Sequence, residues 1–406
     1  MKILLLANMF PPEIRSAARL MSELAESLVG RGHRVTVVTS ARGGRPRGVE
    51  MLSGVRVVRV PTLAVQESRA PAVLRGLGQL FNSAAYGPAA LSVRDVDVSL
   101  SYSPPLALGM VGALLHRLRG VPHVLNVQDL VPQYAIDLGM LKNPALIRML
   151  RWIERAVYRN VQLITVHSRG NAEVLARQGV PAGKVAVVPN WVDTRRLRPS
   201  PRDNAYRRKA GLEGKFVALF SGHLGFAQDL DSVVEAGALL RERSEIALLI
   251  VGEGVEKRRL EEKARKLGLT NVRFMPAVSE DDYPQVVASA DVCLATLQPS
   301  LRCPVVPAKL LGYMAAGKPI IASFPEGGDA PRLVRDAGCG VCAPPGDPAR
   351  LAQAILDAAE RPAESRARGE HGRRYVEANH DRERAMDVYE SLFERLIGRG
   401  QKRRAA

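Results

Sequence analysis

The chain has 406 residues, 46% hydrophobic and 24% charged, which is too long for one ordinary core and too balanced for a disordered or fibrous protein. Four cysteines do not make a disulfide framework, and no uninterrupted apolar run reaches the roughly 18 residues that a membrane-spanning helix needs. The net charge is +17 and lopsided: residues 1–198 carry 26 Lys/Arg against 12 Asp/Glu, and residues 199–406 carry 32 against 29.

The opening MKILLLANMFPPE has a short apolar run, but Asn8, Pro11, Pro12 and Glu13 stand where a secretory leader has a small-residue cleavage site, so a cytoplasmic location is expected. Lys2–Asn8 has the length of a strand. A proline-rich turn follows, then Ala17–Val29 with apolar residues at helical spacing, then the strand Val35–Val38. Ala70–Ser92 is apolar and rich in small residues, with Arg69, Arg75 and Arg94 around it. It reads either as a core-facing helical hairpin or as a segment lying in a membrane interface. The strand Val121–Val127 leads into Gln128 and Asp129.

Near Pro189–Arg207 the sequence turns from apolar to polar with three prolines, which marks a domain boundary between 1–195 and 208–372. The second half repeats the theme of the first. Lys215–Phe220 leads to Ser221 and Gly222, a loop, the helix Leu230–Leu240 and the strand Ile246–Val251. Continuous Val/Ile/Leu runs alternating with amphipathic helices imply parallel strands buried on both faces. The expected fold is therefore α/β, with two doubly wound, Rossmann-like domains facing a cleft, the ligand-binding ends of both sheets being the carboxyl ends of their strands. Arg373–Ile397 reads as one terminal helix, packing back on the first domain, with Tyr375, Met386, Tyr389, Leu392, Phe393 and Leu396 as its apolar contacts.

Several turns can carry chemistry. Phe10–Arg19 lacks any glycine, which disfavours a nicotinamide dinucleotide, whereas Arg15 and Arg19 suit the gripping of an acceptor or a phosphate, or simply a solvated turn. Ser221–Gly225 (SGHLG) has two glycines at which phosphate oxygens can approach the backbone, with Gln228 as a side-chain donor. Val251–Gly254 (VGEG) directs Glu253 to the same edge. Lys309, in PAKLLGYMAAGKPIIAS, stands at the positive end of a helix, where an anion is doubly attracted. Asp129, at a strand's carboxyl end, suits a base or an orienter of a hydroxyl; a helix N-cap is its competing role. Asp95-Val-Asp97 and Asp229-Leu-Asp231 have the spacing of a metal–diphosphate site but open a strand and a helix. Cys339-Gly-Val-Cys342 lacks a second pair at zinc-site spacing. No metal site is expected.

KILLLANMFPPE, RGHRVTVVTS (31–40), VVPNWVD (187–193), FSGHLG (220–225), IVGEG (250–254), VRFMPAVSEDDY (272–283), PAKLLGYMAAGKPIIAS (307–323) and GVCAPPGDPARLAQAI (340–355) together resemble family 4 of the GT-B glycosyltransferases. SPPLALG (103–109), VQDLVPQ (127–133) and GHLGFAQDL (222–230) resemble a branch that includes bacterial O-antigen fucosaminyltransferases and colanic acid glycosyltransferases. The resemblance implies a retaining, cofactor-free and metal-independent transferase. It would move a sugar from a UDP- or GDP-sugar to a polyprenyl-diphosphate-linked saccharide in O-antigen, capsule or exopolysaccharide synthesis. The catalytic pair would be Asp129 and Lys309. The donor would meet Ser221, Gly222, His223, Gln228, Glu253, Val278, Lys309 and Leu310, and the acceptor would meet Glu13, Arg15, Ser16, Arg19 and Gln133. The basic first half would lie on the inner face of the plasma membrane. Nucleic acid is not an expected partner, since no recognised binding module accompanies the charge.

The chain departs from the family at two places. Two glutamates commonly separated by seven residues correspond here to Pro304 and Gly312, so the usual sugar and ribose contacts must be made otherwise. This leaves two alternatives open beside transfer: a sugar-nucleotide 2-epimerase, or a catalytically weak scaffold in a polysaccharide assembly complex.

Overall fold

The computed structural model describes residues 1–13, 15–41, 47–62, 78 and 81–405, the side chains of 401–405 excepted. It divides into two compact units, Met1–Pro189 with Glu383–Ala406, and Asn190–Arg382.

The first unit holds an eight-stranded sheet of β1 (Lys2–Leu6), β2 (Arg34–Ser40), β3 (Gly48–Leu52), β4 (Val55–Val60), β5 (Val98–Ser103), β6 (His123–Val127), β7 (Leu163–Val166) and β8 (Val185–Val187). Their order is β3-β4-β2-β1-β5-β6-β7-β8, and every pair is parallel except β3–β4. That hairpin turns at Ser53 and Gly54, both at positive φ (49° and 78°), the backbone a two-residue hairpin loop requires. The middle strands β1, β5 and β6 are buried along nearly their whole length because helices cover both faces. In β6 even His123 is buried, its ring held by the Ser99 and Ser101 hydroxyls at 2.8 and 2.9 Å. Burial pushes that imidazole down to about 3, so it is a neutral packing group.

The second unit holds a wholly parallel six-stranded sheet: β9 (Phe216–Ser221), β10 (Ile246–Val251), β11 (Val272–Met275), β12 (Val292–Thr296), β13 (Ile320–Ser323) and β14 (Gly340–Ala343). The order β11-β10-β9-β12-β13-β14 places the first strand centrally and reverses direction between β9 and β12. In such sheets the chain diverges at that point, and the crevice beyond the carboxyl ends of the two strands is where ligands bind. All six residues of β10 are buried.

The terminal helix expected over Arg373–Ile397 is two helices, Pro362–Asn379 and Arg382–Ala405. At the break, Val192 pairs with Asp381, and the His380 ring bonds the Asn190 carbonyl at 2.8 Å. The first helix, with Tyr375, stays in the second unit, where Arg373 donates to the carbonyls of Thr194, Leu197 and Ala315. The second helix runs in the first unit and buries Met386, Tyr389 and Phe393. The Arg31 guanidinium holds it through Glu383, Asp387 and Glu390 at 3.1, 2.6 and 2.9 Å. Of the Ala70–Ser92 segment, residues 70–77, 79 and 80 lie outside the described residues; Tyr86–Ser92 is a helix with Tyr86 and Ala90 buried.

The polar stretch after Pro189 belongs to the second unit because its charges are absorbed there. Arg207 is 1% exposed and donates to the carbonyls of Leu212, Ser289 and Lys215 and to Asp291. Asp291 also takes Arg202 and the Val217 amide. Arg207→Met leaves several buried acceptors without a donor and should cost the second unit about 3–5 kcal/mol. A urea titration followed by the fluorescence of Trp191, buried in that unit, in a Trp152→Phe background checks this. An unchanged midpoint would contradict it.

Candidate active site

The second unit builds a compact backbone cradle at the carboxyl ends of β9 and β10. The Gly222 amide donates to Val251 O at 2.9 Å, the Leu224 amide to Glu253 O at 2.9 Å, and the Glu256 amide to Leu224 O at 3.1 Å. The two turns are pressed together so closely that a Cβ on Gly252, at φ 155°, would stand 1.9 Å from the Gly222 carbonyl oxygen. A Cβ on Gly254 would stand 2.2 Å from that of Leu224. The glycines of VGEG are therefore required by main-chain contact. Gly222 itself lies at φ 136°, and a Cβ there would meet the Lys309 ammonium at 3.4 Å.

Lys309 is the second residue of the helix Ala308–Ala315, which connects β12 to β13 on the far side of the β9/β12 divergence. Its Nζ donates to Gln228 Oε1 at 3.0 Å and sits 3.5 Å from the centroid of the Phe220 ring. Both contacts are with uncharged groups. The ammonium is thus held by an amide dipole and an aromatic face, and among the described residues no carboxylate pairs with it. Burial pushes its pKa well down, so the charge is costly and favours an anionic neighbour.

Behind the turn lies a cluster of hydroxyls. Tyr313 OH accepts from the Ser221 amide at 2.9 Å, and Ser221 Oγ lies 3.0 Å from the hydroxyls of both Tyr313 and Tyr283. Ser221 is buried and acts inward, on this network. Gly312 faces the same group: a Cβ there would find Tyr283 OH at 4.0 Å and Leu197 at 3.5 Å. Pro304 is half-buried.

The other positions expected to meet the donor are distributed unequally. His223 is exposed, with Nδ1 3.1 Å from Glu253 O. The Glu253 carboxylate is turned to Lys257 at 2.7 Å and is 59% exposed, so it is the carbonyl of Glu253, not its side chain, that supports the turn. Leu310 is fully buried, leaving only its backbone to offer; Val278 is half-buried.

In the first unit Asp129 follows β6 and is half-buried. It caps no helix, since the next helix, Gln133–Asp137, is preceded by Pro132. Burial raises its carboxyl to about 6. The turn after β1 is organised by Arg59, which donates to Pro11 O at 2.5 Å and to Glu50 at 2.6 Å. It leads to Arg15 and to Ser16, the first residue of the helix Ser16–Gly30. The Arg15 amide bonds Glu13 O at 3.0 Å, and the Arg19 side chain lies 3.8 Å from Glu23. Gln133 is committed at both ends, to Asp137 and to Arg151.

Asp229 bonds Ser232 and the Gly346 amide, and Asp231 is neutralised by Arg259 and Lys263, which hold its carboxyl down at about 2. Among the described residues no group of three His, Cys, Asp or Glu side chains is arranged to hold a metal ion.

The sequence models of known families agree with this architecture. Residues 17–191 match the glycosyl transferase 4-like domain and residues 202–375 match glycosyl transferases group 1. The chain belongs to family 4 of the GT-B glycosyltransferases and is a glycosyl-transferring enzyme. It is 28% identical to the probable glycosyltransferase WbjE of Pseudomonas aeruginosa, over 70% of this chain and 72% of that one. It is also 28% identical to the putative colanic acid biosynthesis glycosyl transferase WcaI of Escherichia coli K12, over 78% and 82%. In fold it resembles Anabaena HepE, solved in complex with UDP-glucose, with a TM-score of 0.74 at 20% identity over 97% of this chain and 99% of that one.

The raised carboxyl of Asp129 has a consequence for stability. The folded chain keeps this proton up to about pH 6, whereas the unfolded chain releases it near 3.8, so stability falls as pH rises through that window. Asp129→Asn should therefore gain stability relative to the parent between pH 4 and 7, read from urea midpoints. A pH-independent difference would contradict the burial of the carboxyl.

Proposed function

We propose that this enzyme transfers a sugar from a nucleoside diphosphate sugar to a lipid-linked saccharide acceptor in surface-polysaccharide synthesis, with retention at the anomeric carbon and without a metal ion. The observation that carries the donor half is Lys309, a half-buried ammonium beside a glycine turn and partnered by neutral groups. A diphosphate at the Ser221–Gly225 turn would meet exposed Gly222, the start of the helix Ala308–Ala315 and this one cation. As the bond from the anomeric carbon to the phosphate oxygen breaks, charge grows on the departing diphosphate. Lys309 lies where that charge is stabilised, the task a divalent cation performs in other transferases. The half-buried Tyr283, whose hydroxyl lies nearest to Gly312, takes over the ribose recognition that the resemblance assigns to a glutamate. That HepE binds UDP-glucose supports a donor of this class.

Acceptor recognition falls to the first unit, at the carboxyl ends of β1 and β6. The acceptor oxygen forms the new bond to the anomeric carbon while its proton passes to Asp129, which must be ionised to receive it. The relatedness to WcaI, named for colanic acid biosynthesis, supports a polysaccharide product. Among the described residues no helix is long and apolar enough to cross a membrane, so a lipid-linked acceptor would be met from a peripheral position.

Two changes test the assignment, each assayed by sugar release and transfer from a panel of UDP- and GDP-sugars in the presence of EDTA. Lys309→Ala should lower turnover by about 10²–10³-fold, the usual cost of losing one group that stabilises a leaving anion. Turnover of the parent should rise with pH through about 6 as Asp129 ionises, and Asp129→Asn should lose about 10²-fold or more together with that limb. Equal activity of Lys309→Ala and the parent would sink the donor assignment. An epimerised nucleotide sugar formed without acceptor would replace transfer by 2-epimerisation.

A further inference from the structure

The amino ends of the first unit's strands, opposite to the end proposed for the acceptor, border a cavity of about 320 Å³. The register of the sheet gathers its charges. Lys2 of β1 pairs with Arg34 of β2, and Thr36, two residues on, pairs with Arg56 of β4. Register partners on parallel strands share a face, as do residues two apart on one strand, so these four side chains stand on the same side of the sheet. Farther along, that face carries Leu4, Leu6 and Val38, packed in one core cluster with Tyr86 and Ala90 of the helix Tyr86–Ser92. The chain leaves this helix and turns toward β5 through Asp95, at φ 54°, which brings Arg94 and Asp95 to the cavity.

The fold does not neutralise what it collects there. Lys2 and Arg34 are like charges set side by side on neighbouring strands, which repel. Asp95, the one acid lining the cavity, lies 3.4 Å from the Lys2 ammonium, and Asp97 beside it is used on the Lys2 amide at 2.7 Å. Among the described residues no hydrogen bond or ion pair holds the side chains of Arg34, Arg56 or Arg94, and all three are exposed. The carbonyls at the end of the helix Tyr86–Ser92 would repel an anion if left open. Arg119 occupies them, donating to Leu91 O and, at 2.8 Å, to Val93 O.

We propose that this cavity binds a phosphorylated sugar, with the phosphate on Arg34, Arg56 and Arg94 and the sugar hydroxyls on Thr36, Ser92 and Asp95. A phosphate monoester carries nearly two negative charges at neutral pH, and guanidinium groups hold it through paired, charge-assisted hydrogen bonds. The rest of the lining selects the sugar. No aromatic ring is present on which a nucleobase could stack, whereas two hydroxyls and a carboxylate stand among the apolar Ile3, Val93 and Val96. Ser92 Oγ donates to Ala89 O at 2.7 Å, which leaves its lone pairs for a sugar hydroxyl. The length of β1, roughly 13 Å at the usual rise per residue, separates this cavity from the turn proposed for the acceptor. It is therefore a second ligand site, and the inference stands independently of the proposed transfer reaction.

The test is calorimetric titration of the full chain, in 0.15 M potassium chloride, with glucose 6-phosphate, fructose 1,6-bisphosphate, glucose and sulfate. Expected are saturable binding of at least one sugar phosphate, none of glucose, and sulfate at least about 10-fold weaker. Arg34→Gln/Arg56→Gln should weaken the sugar phosphate by about 10-fold or more, whereas Lys309→Ala should leave its affinity unchanged. Without ligand the double variant should melt no lower than the parent, since it removes repulsion and breaks no contact. Failure of both sugar phosphates to bind, or equal affinity in the folded double variant, would overturn the proposal. Loss of binding in Lys309→Ala would move the phosphate to the glycine turn of the second unit. Sulfate as tight as the sugar phosphates would reduce the cavity to a site for an adventitious ion only.

Discussion

The glycine turns of the second unit hang on a main-chain contact, the approach of Gly252 to the carbonyl of Gly222. With a space of 1.9 Å for any Cβ, the turns after β9 and β10 can lie together only if no side chain intervenes. Their backbones are then fused by hydrogen bonds from Gly222, Leu224 and Glu256. A rigid turn of this kind fixes where Gly222 faces, and with it the space that the Lys309 ammonium shares. Were the turn to relax, the lysine would lose its reference point, because its remaining partners, Gln228 and Phe220, belong to the same segment of chain.

The electrostatic choice follows from that geometry. A carboxylate partner would have settled Lys309 as a structural ion pair. An amide and a ring hold it in position without cancelling its charge. The unit treats the buried Arg207 in the opposite way: it is saturated by carbonyls and Asp291, and Asp291 is shared with Arg202. Arg207 is consumed by the fold, whereas Lys309 keeps a charge that the proposed function gives to a ligand.

Much of this was legible in the sequence because parallel strands buried on both faces read as unbroken apolar runs; KILLL and IALLIV mark β1 and β10 directly. Lys309 and the SGHLG turn were visible as a helix start and a glycine pair. What stayed hidden depends on distant contacts. The hairpin Gly48–Val60 offers little period in its sequence. The break at His380 and Asp381 arises from pairing with Asn190 and Val192, nearly two hundred residues away. Glu253 was read as facing the ligand, and only the position of Lys257 one turn on shows its carboxylate held elsewhere. Likewise the hydroxyls of Tyr283 and Tyr313 converge on Ser221 from separate elements, and no spacing in the chain announces them.

The central claim is that the glycine turn and Lys309 form a diphosphate site. It is tested most directly by calorimetric titration of the wild-type enzyme with uridine and guanosine, their monophosphates and their diphosphates. The account predicts that one nucleoside diphosphate binds at least about 30-fold more tightly than its own monophosphate, as expected for about 2 kcal/mol of charge-assisted contact. Equal affinities across that series, or no binding of either diphosphate, would contradict it.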